Sequence, residues 1–212
     1  VANDNSEYTP LAKMFLGRCL ANMESLEEAV SVFEGLVDSY PNSQFSEDAL
    51  YEIAGILILN GENIEAVRIY DTLLEDYPES TLAEDISYRK AEILFEDGYF
   101  SEAKQAFSRY RIIYPNGKFR PEALYWGAWA TREMGEPIRA AFLWELLITD
   151  FIQSPLRPDA FLQAAESYIA EGDYKSSLDL LEKLSVEYSN EAIGKEALVR
   201  MRKISILLKD SE

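Results

Sequence analysis

This chain contains no histidine, so residue type alone rules out a histidine base, a histidine metal ligand and a Ser-His-Asp arrangement. Carboxylates, phenols and one thiol are what remain for chemistry. With 38 Asp and Glu, carboxylate pairs such as Glu27-Glu28 are expected from composition and do not by themselves mark the spaced pair of a glycosidase. The thiol, Cys19, sits in Leu16-Gly17-Arg18-Cys19-Leu20, an apolar helical stretch where a buried cysteine behaves as a small hydrophobe. Only Arg18 offers the electropositive neighbour that an activated thiol requires, and a single cysteine excludes an internal disulfide framework. No GxxxxGK loop, GxGxxG loop or calcium-loop pattern is present. No catalytic residue, metal site or cofactor site is therefore assigned, and the expectation is a non-enzyme working through non-covalent contact.

Charge narrows what it would contact. The 212 residues carry 38 acidic and 20 basic side chains, a net −18, and that field repels nucleic-acid phosphate and anionic lipid alike. Basic or amphipathic protein segments are attracted by it, although acidic helix faces also serve solubility. Apolar residues make up 48%, enough for a core, and no apolar run is long enough to span a membrane.

The elements that position these groups show themselves through repetition. Tyr40-Pro41, Tyr77-Pro78 and Tyr114-Pro115 recur at a 37-residue step that continues to Phe151 and Tyr188. The same step aligns Glu24, Gly61, Gly98, Gly135 and Gly172. It also aligns Ala29, Ala66, Ala103, Ala140 and Ser177, and the large residues Phe33, Tyr70, Phe107, Trp144 and Leu181. A small-residue column reads Gly17, Ala54, Ala91, Ala128 and Ala165. Each column has a cause. The glycine reverses the chain after one helix, and the small residues let two helices approach. The large residue fills the space beside them, and the proline ends the second helix. Ser25-Leu26-Glu27-Glu28 reads as a capping box, and Asp173 as a cap after Gly172.

Five helical hairpins follow, over about 8–43, 44–80, 81–117, 118–154 and 155–190, with a flexible lead at 1–7 and a cap at 191–208 within one stack running to 212. First helices are predicted near 9–22, 46–59, 83–96, 120–133 and 157–170. Second helices are predicted near 26–39, 63–76, 100–113, 137–150 and 174–187. Arg202 replaces the small residue in the last helix, as expected of a solvated cap that no further hairpin crosses. The first helix, opened by Pro10, is apolar nearly all round through Leu11, Met14, Phe15, Leu16, Cys19 and Leu20. Such a helix is normally buried on all sides. Leu11, Met14 and Phe15 are thus candidates for an N-terminal interface, with upstream repeats, a partner or a second copy covering them.

Hairpins of this pattern resemble the tetratricopeptide repeat family over about residues 8–208. The usual repeat is 34 residues, so the 37-residue step is a departure. With Tyr-Pro-Asn-Ser at 40–43, Tyr-Pro-Glu-Ser at 77–80 and Tyr-Pro-Asn-Gly at 114–117, it is similar to a bacterial-envelope subgroup. That subgroup includes BamD-type assembly lipoproteins and Tol–Pal-associated periplasmic repeat proteins, the latter also matched by Glu122-Ala123-Leu124-Tyr125-Trp126-Gly127. The resemblance implies an all-α, right-handed superhelix with a concave wall made by the first helices. It implies a scaffold in a cell-envelope or periplasmic assembly.

Carried over by column, that wall holds Tyr51, Tyr88 and Tyr125 beside Asp48, Asp85, Glu122 and Asp159. One turn further come Gly55, Glu92, Trp129 and Glu166, then Ile58, Phe95, Arg132 and Ile169. Aromatic rings edged with carboxylates suit a protein or peptide with basic and apolar residues; packing between first helices is the competing use of the tyrosines. Arg18 and Arg132 lie three units apart, too far to act together as a carboxylate clamp. The alternatives to a scaffold are an oligomerisation module acting through the apolar N-terminal helix, giving a homo-oligomer, and part of a larger repeat lipoprotein with a small-ligand or transport-accessory role.

Overall fold

The computed structural model describes residues 9–209; the lead expected over 1–7 lies outside them. Eleven helices and no strands occupy the described residues. They are α1 (Thr9–Asn22), α2 (Leu26–Ser39), α3 (Gln44–Leu59), α4 (Asn63–Asp76), α5 (Ala83–Glu96), α6 (Phe100–Ile113), α7 (Arg120–Glu133), α8 (Pro137–Asp150), α9 (Arg157–Ala170), α10 (Tyr174–Glu187) and α11 (Ala192–Lys209). The chain divides into two compact units, one ending at Ile93 and the other beginning at Leu94.

The same local rules build both units. After each first helix the chain turns through a left-handed residue: Gly61, Gly98, Gly135 and Gly172 have φ between 77° and 80°. Glu24 holds φ 62° in the same column without a glycine's freedom, a strained position for an L side chain. Tyr40, Tyr77, Tyr114, Phe151 and Tyr188 are the C-terminal caps of the second helices, each backbone N–H still donating to the carbonyl four residues back. The residue that follows stops the helix where it is proline, because it has no N–H to continue the ladder.

Caps separate the two readings made from sequence. Asp173 accepts from the Ser176 N–H at 3.1 Å and caps α10 as expected. Ser25 does not form the expected box: its side chain caps nothing. Asp173 caps with ψ 69°, close to the 62° of Ser25, so the backbone alone does not separate them. The aspartate carboxylate reaches further than the serine hydroxyl, which caps at Ser43, where ψ is an extended 140°.

Within the first unit α1 packs on α2 and α3, α2 on α3, and α3 on α4. Gly17 lets Phe33 in: a Cβ at Gly17 would lie 2.4 Å from the Phe33 ring. Within the second unit the neighbours are α6 and α7, α7 and α8, α8 and α9, α9 and α10, and α10 and α11, with α11 also touching α9. Its core gathers Trp144, Phe161, Leu147, Leu181, Leu184 and the alanines Ala128, Ala140 and Ala165. The large-residue column is buried throughout, at no more than 3% exposure from Phe33 to Leu181. Each such side chain contributes about 1.5–3 kcal/mol on burial.

The first helix corrects the sequence reading. In α1 only Pro10, Met14 and Gly17 are buried, one narrow stripe at helical spacing, because neighbours lie along that stripe alone. Met14 is therefore core and cannot serve the N-terminal interface, and Leu11 is half-buried. Phe15 and Leu16 stay 60% and 51% exposed. Cys19, two residues beyond Gly17 and so on the far side of the helix, is exposed rather than a buried hydrophobe. Arg202 in α11 is exposed as expected of a solvated cap, and Leu198, Val199, Ile206, Leu207 and Leu208 are exposed with it.

Candidate functional site

Sequence columns place the candidate residues on the first helices, and their surroundings differ between the units. In the first unit Asp48, Tyr51 and Gly55 lie at i, i+3 and i+7 on one face of α3. Tyr51 is 41% exposed, its ring 6.4 Å from that of the buried Tyr70. Asp48 is half-buried, and beside Gly55 a Cβ would meet nothing within 4 Å. An exposed ring, a carboxylate and an unfilled gap thus share one surface. Arg18 donates to Glu52 at 2.7 Å at its edge. On α5, Tyr88 is only 7% exposed, Asp85 is half-buried, and Glu92 pairs with Arg89 on its own helix. Tyr88 offers packing here, not a contact surface.

In the second unit the face is a linked polar chain. The Tyr125 hydroxyl donates to Asp159 Oδ2 at 2.5 Å, and Gln163 Nε2 donates to Asp159 Oδ1 at 3.3 Å. Arg132 donates to Gln163 Oε1 at 3.0 Å, lies 3.7 Å from Glu166 and stacks 5.1 Å above the Trp129 ring. Glu166 also pairs with Arg200 of α11, whose Nη2 reaches Glu196 at 2.6 Å. Trp129 meets the buried Trp144 edge-on at 5.6 Å. Phe95 is taken up by Phe100 and Trp126, at 5.5 and 5.2 Å. Trp129, Arg132 and Glu166 thus come together, while Tyr125 is withdrawn to 9% exposure.

These links escaped the sequence reading, yet they had a signal. Arg18–Glu52, Tyr125–Asp159, Arg132–Glu166 and Glu166–Arg200 all span 34 residues, one repeat less three. That is one helical turn back on the next first helix, where successive first helices cross. Among the described residues, Glu122 Oε2 is buried and accepts no hydrogen bond.

Burial, then the bond to Asp159, pushes the Tyr125 phenol up to about 12 from the usual 10. Tyr168 is raised likewise to about 12 by burial and its bond to Glu145. A raised folded-state value favours the neutral phenol in the folded protein. This stability is complete below pH 10 and is lost as pH climbs through 12. A melting-temperature series should therefore fall across that window, and Tyr125→Phe should flatten the fall while costing about 1 kcal/mol at neutral pH.

Among the described residues no group of three or more His, Cys, Asp or Glu is arranged to hold a metal. No described helix is long and apolar enough to cross a membrane.

The profile described as "Tetratricopeptide repeat" matches residues 16–43, 48–80 and 159–190. Among solved structures, MamA is 16% identical with a TM-score of 0.65, over 88% of this chain and 96% of that one. A tetratricopeptide repeat protein from Parabacteroides merdae is 17% identical with a TM-score of 0.63, over 92% and 73%. YrrB, described as a repeat protein with an unusual peptide-binding site, is 17% identical with a TM-score of 0.60, over 87% and 89%. No curated protein matches the chain.

Proposed function

We propose that this chain, three segments of which match the tetratricopeptide repeat profile, is a non-catalytic scaffold holding a basic and apolar segment of another protein against its first helices. One observation carries the reading. Tyr51 remains 41% exposed while its column-mates Tyr88 and Tyr125 are 7% and 9% exposed, and it does so between a carboxylate and an open gap at Gly55. An exposed aromatic beside Asp48 gives a partner ring area and a place for Lys or Arg. In the second unit, the partly exposed Trp129 on α7 adds aromatic area, its ring already stacked with Arg132. The peptide-binding site of YrrB supports a similar use of this fold. The Tyr-Pro hairpin ends and Glu122–Gly127, similar to those of envelope repeat proteins, support work in a bacterial envelope assembly.

An array of short peptides varied in basic and apolar content tests this reading. Lys- and Leu-containing peptides should bind, and Tyr51→Ala should weaken them about tenfold with helicity unchanged. Equal binding by the variant would remove α3 as the site.

A second reading rests on α1 and the turn after it, where Phe15 and Leu16 on the helix and Met23 in the turn are 60%, 51% and 74% exposed. Exposed apolar side chains grouped in one place mark association surfaces. Sedimentation at rising concentration should show self-association that Phe15→Glu abolishes; a monomer at every concentration counts against it.

A further inference from the structure

The repeat acts as its own standard of comparison, because each column shows what its position needs for folding. Departures from that standard concentrate in one place. Lys104 stands where the other repeats have Val30, Val67, Ala141 and Leu178. Arg111 replaces Val37, Leu74, Ile148 and Ser185. Ser108 takes the place of four acids, Glu34, Asp71, Glu145 and Glu182, and Phe142 that of the polar Ser31, Arg68, Gln105 and Asp179. All four line a single cleft of about 540 Å³ between α6, α7 and α8. Gly127 lines it too, on α7, where Leu16, Ile53, Lys90 and Ala164 carry side chains; a Cβ there would already lie 3.2 Å from Phe107. The other repeats fold without a Lys, Ser, Arg and Phe at these four positions, and residues 81–158 fall outside the segments that match the family profile.

The cleft's charge is opposite to that of the chain. Lys104 and Arg139 share Glu136, each 2.8 Å from its carboxylate. The Arg111 guanidinium has no acidic partner: among the described residues this side chain makes no ion pair or hydrogen bond, although the protein carries 38 acids. Burial and the nearby Arg120 guanidinium both disfavour its charged form. An anion beside Arg111 would relieve this.

Lys104, Phe107, Ser108 and Arg111 occupy one face of α6, so the cleft runs about 10 Å along that helix. Its walls are apolar, with Phe107 buried and Phe142 and Ile138 61% and 45% exposed. A cavity of this volume is the size of a small-molecule site. We propose that it binds a medium-chain fatty acid, the carboxylate on Arg111 and the alkyl chain laid over Phe107, Ile138 and Phe142. The proposal is independent of peptide holding on α3 and α7.

Calorimetric titration with decanoate, nonanoate and decanol below their aggregation limits tests it. Decanoate should saturate a single site, decanol should bind about tenfold more weakly, and nonanoate about fourfold more weakly than decanoate. Arg111→Leu should bring decanoate down to the level of decanol. Phe142→Asp, a change at an exposed position that leaves the fold intact by circular dichroism, should weaken decanoate by repulsion and lost contact. Equal affinities for acid and alcohol, or decanoate binding unaffected by Arg111→Leu, would overturn the proposal. So would a cleft that decanoate leaves empty while Phe142→Asp dissolves a dimer, since the occupant would then be a second copy of the chain.

Discussion

Trp144→Ala should destabilise the second unit by about 3–5 kcal/mol, the largest single-residue effect expected outside the backbone turns. Trp144 is 0% exposed and belongs to the column whose members Phe33, Tyr70, Phe107 and Leu181 fill the space left by the small residues. Alanine would leave a cavity that the rigid alanine-lined crossings around it cannot close. Trp129 would also lose the edge-on contact at 5.6 Å, so the candidate face on α7 should loosen with the core. Trp144→Phe separates volume from polarity. The indole N–H has no acceptor, so its removal relieves an unpaired buried donor, and this variant should cost only about 1–2 kcal/mol. Urea unfolding followed by far-ultraviolet circular dichroism measures both. Equal losses for the two variants would show that the ring's fit, and not its bulk, supports the unit.

Arg157→Ala should cost the second unit about 2–3 kcal/mol, a large effect for a charged residue. The side chain is only 9% exposed. It donates to the Ile148 carbonyl at 2.8 Å, near the end of α8, and to Glu187 Oε2 at 2.5 Å and the Tyr188 hydroxyl at 3.2 Å, at the end of α10. Its guanidinium also stacks 5.0 Å above the Phe161 ring. One residue of α9 thus ties the ends of two second helices. Glu187 is 41% exposed in its side chain and rehydrates when the partner goes, which keeps the loss below that of a fully buried pair. Arg157→Lys should recover less than half, since an ammonium reproduces neither the fork nor the stacking. Thermal melts of the three proteins decide it; a shift for Arg157→Ala no larger than for an exposed ion pair such as Arg68–Glu65 would contradict the clamp.

Helix limits were legible because each is set locally. Glycine at φ near 78°, a Tyr-Pro break and Asp173 beside Gly172 act within a few residues, so the turns fell where the columns put them. Side-chain depth was not legible in the same way. A repeated column shows that Tyr51, Tyr88 and Tyr125 are equivalent in sequence, but exposure depends on what the next hairpin places over each. Asp159 draws the Tyr125 hydroxyl inward, and nothing comparable covers Tyr51. The polar chain from Tyr125 to Arg200 was hidden because its partners sit 34 residues apart rather than 37. Cys19 and Met14 show the same limit within one helix. Both looked buried by composition, and only the direction of the neighbouring helices separates them.

The central claim is that the first-helix face around Tyr51 holds the partner. A photo-crosslinking amino acid placed at position 51, and in a second protein at Gln105 on the second helix α6, tests it most directly in the presence of a basic, apolar peptide. Crosslinks from 51, suppressed by unlabelled peptide and absent from 105, are the predicted result. Crosslinks from 105 with none from 51 would contradict it.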